Sequence, residues 1–143
     1  MKNNQLQKFG SFGFLYNPRS NEVFLHQRDG NTVYNPNALA FFGGLGENNE
    51  TPRECFQREL FEEIGLKVKN DAIIPLDDYL NEEFKTYRYV FYVVSDVSKE
   101  KLILGEGAGF DWFKINTVFK QNITEKTTKD LQTFLQKLNK PLK

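Results

Sequence analysis

Glu59, Glu62 and Glu63 stand at i, i+3 and i+4 in the run Arg58-Glu59-Leu60-Phe61-Glu62-Glu63-Ile64. On a helix these three carboxylates fall on one face. Like charges at that spacing cost about 0.2 to 0.5 kcal/mol per pair. A hard divalent cation such as Mg²⁺ turns the repulsion into coordination, because it takes carboxylate oxygens and keeps waters and room for a phosphate. A solvated acidic face is the plain alternative, and the helix alone does not decide between them.

The residues before the helix bear on that choice. Gly43-Gly44 lets a backbone carbonyl approach a cation where a side chain would obstruct it. Arg58 lies one turn before Glu62, at the edge of the carboxylate face. From there it can pair with Glu50 in the preceding loop or with Glu62, and so hold loop and carboxylates together. Cys55, one turn before Glu59, reads as packing rather than as a nucleophile, since no histidine is near it in sequence.

Positioning these groups requires a helix and something to pack it on. Thr51-Pro52-Arg53-Glu54 carries a hydroxyl N-cap, a first-turn proline and the glutamate of a capping box, so the helix starts at Thr51 or Pro52. Gly65 marks its end, and it runs to about Ile64. Phe56, Leu60 and Ile64 form an apolar stripe suited to a sheet.

Strand-like runs supply that sheet. Phe9 to Tyr16 and Glu22 to Arg28, joined by Asn17-Pro18-Arg19-Ser20-Asn21, read as a hairpin. A third apolar run, Ala38 to Phe42, is stopped by Gly43-Gly44. Arg88 to Val94 reads as a strand buried on both faces, and a short strand is expected around Phe110 to Phe113. Leu131, Phe134, Leu135 and Leu138 mark an amphipathic terminal helix from about Thr127 to Leu138.

Composition narrows the function classes. The chain has 143 residues, with 19 Lys+Arg against 19 Asp+Glu, a size for one domain over residues 1–143. The zero balance argues against a nucleic acid polymer or an anionic membrane as partner, since both demand many neutralised phosphates. One cysteine excludes an intrachain disulfide and a multi-cysteine zinc site, and fits a reducing, cytoplasmic setting. Met1 to Phe9 is polar and unlike a signal peptide, and no apolar run reaches the roughly 18 residues that span a bilayer.

Gly44, Glu50, Arg58-Glu59-Leu60, Glu62-Glu63 and Gly65-Leu66 reproduce the spacing of the Nudix box at every fixed position. With any residue type at roughly one position in 15, seven fixed identities do not align by chance. The chain thus resembles Nudix hydrolases, from about Phe9 to Leu138. The resemblance implies an α/β fold, an α/β/α sandwich with a mixed sheet and a loop-helix-loop box. It implies that Glu59, Glu62 and Glu63 bind Mg²⁺, with Mn²⁺ as substitute, that the Gly43 carbonyl is a further ligand, and that Gly44, Glu50, Arg58 and Gly65 support the box.

Outside the box, Glu106 has the placement of the acidic residue that completes the site in MutT-like members, as metal ligand or base. Arg28 matches a substrate-contacting position, where its fork can grip phosphate; a strand-end arginine can equally be a solvated terminator. Phe42 replaces the proline usual before the double glycine, and is expected to touch the base or the core. His26, the only histidine, reads as a satisfied strand residue. The implied activity is cleavage of a diphosphate linkage in a nucleoside diphosphate joined to another group, a nucleoside triphosphate or its oxidised form first and a nucleotide sugar second. A non-cleaving nucleotide sensor and an isopentenyl-diphosphate-isomerase-like enzyme are the other classes; the first typically loses box carboxylates that this chain keeps, and the second needs a cysteine in a motif of its own. Many relatives are homodimers.

Overall fold

The computed structural model describes residues 8–30, 37–47, 49–105 and 109–139. Phe9–Asn17 (β1) and Glu22–Gln27 (β2) form the expected antiparallel hairpin, with Leu15 opposite Phe24 and Asn21 taking φ 56° in the turn. On its other edge β1 runs parallel to Thr86–Val94 (β6), placing Phe9 opposite Tyr87 and Tyr16 opposite Val94. Gly109–Lys114 (β7) pairs antiparallel with β2. The sheet is therefore mixed.

Two parts of the sheet differ from the sequence reading. The third run is divided into Leu39–Ala40 (β3) on β2 and Phe42–Leu45 (β4) on β1. The glycine pair thus lies inside a strand instead of ending one. A Cβ at Gly43, whose φ is +143°, would lie 2.1 Å from the Ser11 carbonyl oxygen, so only glycine lets β4 come this close to β1. Ile74–Asn81 (β5), antiparallel to β6, has no counterpart among the strand-like runs of the sequence. A register shift between Pro75 and Asp77 interrupts its alternation, and Pro75, Asp78 and Leu80 are exposed, as suits an edge strand.

Side chains alternate across the sheet. Phe14, Tyr16, Val23, Leu25 and Val90 pack on one face with Leu131 and Phe134 of Glu125–Leu138 (α2). Leu15, Phe24 and Phe91 pack on the other with Phe56, Leu60 and Ile64 of Pro52–Ile64 (α1). This is the α/β/α arrangement. Helix α2 begins earlier than the apolar spacing indicates, because Thr124 caps it, and Leu138 is exposed at its end. A buried polar tie fixes it: Asp130 accepts from Arg88 Nε at 3.0 Å and Tyr79 Oη at 2.7 Å.

Candidate functional site

Helix α1 is set by its capping box: Thr51 Oγ1 accepts from the Glu54 N–H and Glu54 accepts from the Thr51 N–H. Gly65 closes it in the left-handed conformation, its N–H on the Phe61 carbonyl. Ser11 Oγ donates to the Pro52 carbonyl at 2.7 Å and locks the first turn onto β1. Both ends of the carboxylate-bearing helix are thereby fixed.

Arg58 organises the acidic groups. Its Nε and Nη2 meet Glu50 at 2.5 and 3.1 Å, a two-pronged pairing, while Nη1 lies 3.1 Å from both Glu59 and Glu62. Nη2 also donates to the Leu45 carbonyl, tying helix to strand. The guanidinium holds the Glu50 carboxyl below the ordinary range, and the carboxylates raise Arg58 in return. Glu47, Glu50, Glu59 and Glu62 all lie within 3.6 Å of this one cation, and the cluster keeps a negative excess.

Glu59 sits directly over Gly44, where a Cβ would lie 2.6 Å from its Oε2. Glu63 is different in kind. It is buried, and its Oε2 accepts from the Gly43 N–H at 2.9 Å. The sequence grouped the three carboxylates on one face; the structure separates a solvent-facing Glu62 from an inward Glu63. Cys55 is buried with Sγ toward the Gly44 carbonyl at 3.5 Å, and burial pushes its thiol up to about 11, so it packs and does not attack.

A second segment reaches the same turn. The Ile103 N–H donates to the Ile64 carbonyl at 3.0 Å and the Gly105 N–H to the Glu63 carbonyl at 2.7 Å. A Cβ at Gly105 would lie 2.3 Å from the Glu62 carbonyl oxygen. Glu106, expected from the sequence to complete the site, lies outside the described residues.

Arg28 follows β2 half-buried, its N–H on the Ala38 carbonyl. Phe42 is wholly buried and stacks near Phe24 and His26. Of the two expectations for Phe42, base contact or core, the structure places it in the core. His26 lies on β2, the strand position expected for it, and its Nδ1 is 3.8 Å from Glu63 Oε1, a neighbour no spacing rule could reveal across 37 residues of chain.

The donors present are carboxylate and backbone oxygens beside a cradle that any Cβ would fill, which fits a hard divalent cation. Among the described residues no three acidic, histidine or cysteine side chains already converge as a ligand set. Arg58 holds Glu59 and Glu62 while Gly43 holds Glu63. Two adjoining clefts of about 260 and 250 Å³ share Gln27, Leu39 and Phe113, and no box carboxylate lines either. Among the described residues no helix is long and apolar enough to cross a membrane.

The family model described as NUDIX domain matches residues 8–136. No curated protein matches the chain in sequence. Among solved structures, a MutT protein from Methanosarcina mazei superposes with TM-score 0.73 at 15% identity, covering 92% of this chain and 95% of that one. The NUDIX domain of Shewanella oneidensis NrtR, solved with ADP ribose, gives 0.72 at 14%, covering 96% and 91%. A MutT/nudix family protein from Enterococcus faecalis gives 0.63 at 22%, covering 79% of this chain. This chain spans only 46% of that protein's length.

Proposed function

The chain belongs to the Nudix family, and from that membership we propose that it hydrolyses a diphosphate linkage in a nucleoside diphosphate joined to another group, with Mg²⁺ as cofactor and Mn²⁺ as substitute. The observation that carries this reading is the box itself: Arg58 gathers Glu50, Glu59 and Glu62 while Gly43 pins Glu63. The favoured substrate is a nucleoside triphosphate or its oxidised form, giving the monophosphate and pyrophosphate.

Glu59, Glu62 and Glu63 would hold the cation, with the Gly43 carbonyl and Glu106 as proposed further ligands. Bound there, it would supply charge neutralisation on the phosphate oxygens. This chain's own groups do the rest. Arg58 keeps Glu59 and Glu62 from splaying apart, and Glu50 fixes Arg58. One of the glutamates, with Glu106 a candidate, takes the proton of the attacking water; the water oxygen bonds to phosphorus as the anhydride P–O bond breaks and the leaving phosphate carries away that electron pair. Arg28 would grip a phosphate oxygen by its fork.

The clefts around Gln27, Leu39 and Phe113, one of them also lined by Asn37 and Asn122, combine polar side chains with an aromatic ring, a lining that suits a base. ADP ribose in the Shewanella neighbour makes ADP-ribose and nucleotide sugars the second substrate class to try.

The deciding experiment screens nucleoside triphosphates, oxidised dGTP, nucleotide sugars, ADP-ribose and dinucleoside polyphosphates with Mg²⁺ or Mn²⁺, reading phosphate and pyrophosphate release as kcat/KM. Metal-dependent cleavage of one class supports the reading. Binding without cleavage across the panel, or near-full turnover in both Glu62→Gln and Glu63→Gln, overturns it.

A further inference from the structure

His26 lies on β2 between two strands, opposite Ala40 of β3 and Phe110 of β7. Its ring stacks on Phe42 with centroids 5.4 Å apart and planes 27° from parallel. Phe42 in turn stacks on Phe24, and Phe24 lies against Phe110. A phenylalanine would suit this aromatic neighbourhood and carry no desolvation cost, whereas a mostly buried imidazole needs a polar neighbour to justify its nitrogens. Glu63 is such a neighbour, its Oε1 lying 3.8 Å from His26 Nδ1.

Two of the contacts around Glu63 trace to consecutive residues. Gly43 donates its N–H to Oε2, and Phe42, the residue before it, carries the ring on which His26 rests beside Oε1. The side chains of His26 and Glu63 are 12% and 6% exposed, so bulk water contributes little to holding that carboxylate. Outer groups that orient ligating carboxylates act on affinity and turnover without touching substrate.

We infer that His26 is a positioning residue for Glu63: with the Gly43 N–H it fixes the orientation in which this buried carboxylate meets the cation. The inference rests on the catalytic reading of the box. It implies that the polar ring edge is required and that the ring's bulk alone does not suffice.

The test uses His26→Phe, which keeps the stack and removes the nitrogens, and His26→Gln, which keeps polarity without the ring. Mn²⁺ binding is measured by titration calorimetry without nucleotide, alongside kcat, nucleotide KM and Tm. For His26→Phe, Mn²⁺ affinity and kcat are expected to fall about 10- to 100-fold while nucleotide KM stays within about twofold and Tm is unchanged or higher. His26→Gln is expected to retain more of the Mn²⁺ affinity. Should His26→Phe fail to fold, His26→Leu, which also removes the nitrogens, is read in its place, with a loss of more than about twofold in Mn²⁺ affinity supporting the inference and a smaller one overturning it. A folded His26→Phe with Mn²⁺ affinity and kcat within about twofold of wild type also overturns it. Glu62→Gln and Glu63→Gln, measured in parallel, separate the two levels: if both match wild type, the catalytic reading fails; if Glu63→Gln is inactive while His26→Phe is unimpaired, only the positioning role fails.

Discussion

The Glu63 carboxylate accepts a hydrogen bond from the main-chain N–H of Gly43 at 2.9 Å. This contact joins the last turn of α1 to the strand that the glycine pair threads against β1. Glu63 is also the most buried of the box carboxylates, and Glu62, on the opposite flank with Arg58, the most exposed.

Glu63→Gln keeps an acceptor for the Gly43 N–H and removes the charge. The fold should survive, as circular dichroism would show, while turnover falls by about 10²- to 10⁴-fold. Glu62→Gln should do the same with less effect on Tm, because Glu62 is far more exposed. Steady-state pyrophosphate release measures both.

Arg58→Ala leaves Glu50 and Glu59, both largely buried, without their cation. A loss of about 3 kcal/mol is expected from breaking such a pairing. Saturating Mg²⁺ should restore part of it by binding the folded state alone. Thermal melts in chelator and in Mg²⁺ test this, and an equal loss in both would contradict cation binding at these carboxylates. Arg58→Lys should fall between, since a point charge cannot reproduce the fork on Glu50.

Acid should weaken the box from the Glu50 side. The folded-state value lies below the unfolded one because of Arg58. The stabilisation is therefore complete above the ordinary carboxylate range and disappears as pH falls through the folded value. Asp130, raised by burial, works in the opposite sense. Melts between about pH 7 and pH 3 should show a shallower acid limb in Arg58→Ala than in wild type.

Gly105→Ala places a Cβ against the Glu62 carbonyl and must push its segment off the helix end. Since misplacement of about 1 Å near a reacting centre can cost about 100-fold, kcat should drop by up to that factor. Nucleotide KM should change little. Ile103→Ala, which keeps the backbone contact to Ile64, is the control expected to stay near wild type.

Asp130→Asn strips the buried Arg88 of its counter-ion on the α2 face, and about 3 to 5 kcal/mol should be lost. Folded enzyme at low temperature should keep its kcat. The double change Asp130→Leu with Arg88→Met should recover much of the stability, as apolar replacement of a buried pair does.

The box helix was legible to within a residue because caps, proline and glycine are local signals with strong chemistry: Thr51, Pro52, Glu54 and Gly65 fall as expected. The pairing of Arg58 with Glu50 and Glu62 was also readable, being short-range. Edge strand β5 was not, since Asp77 and Asp78 face solvent demands that break the apolar alternation. Nor was the strand-forming role of Gly43, which depends on how near Ser11 lies. Phe42 and His26 illustrate the same limit, because which side of a sheet a residue faces, and what waits there, is a tertiary fact.

The parallel pairing of β1 with β6 bears on how the protein comes to life. Phe9 finds Tyr87 as its partner, and the whole of α1 lies between them in the chain. Closing so long a loop is entropically costly and makes such topologies slow to form. On the ribosome, the hairpin and the box helix emerge first with one edge of β1 open. That edge is a sticky surface until β6 arrives, and the carboxylates lack a completed platform for the same interval. The box residues, Gly43 to Gly65, are therefore made well before β6 completes the sheet on which their helix packs.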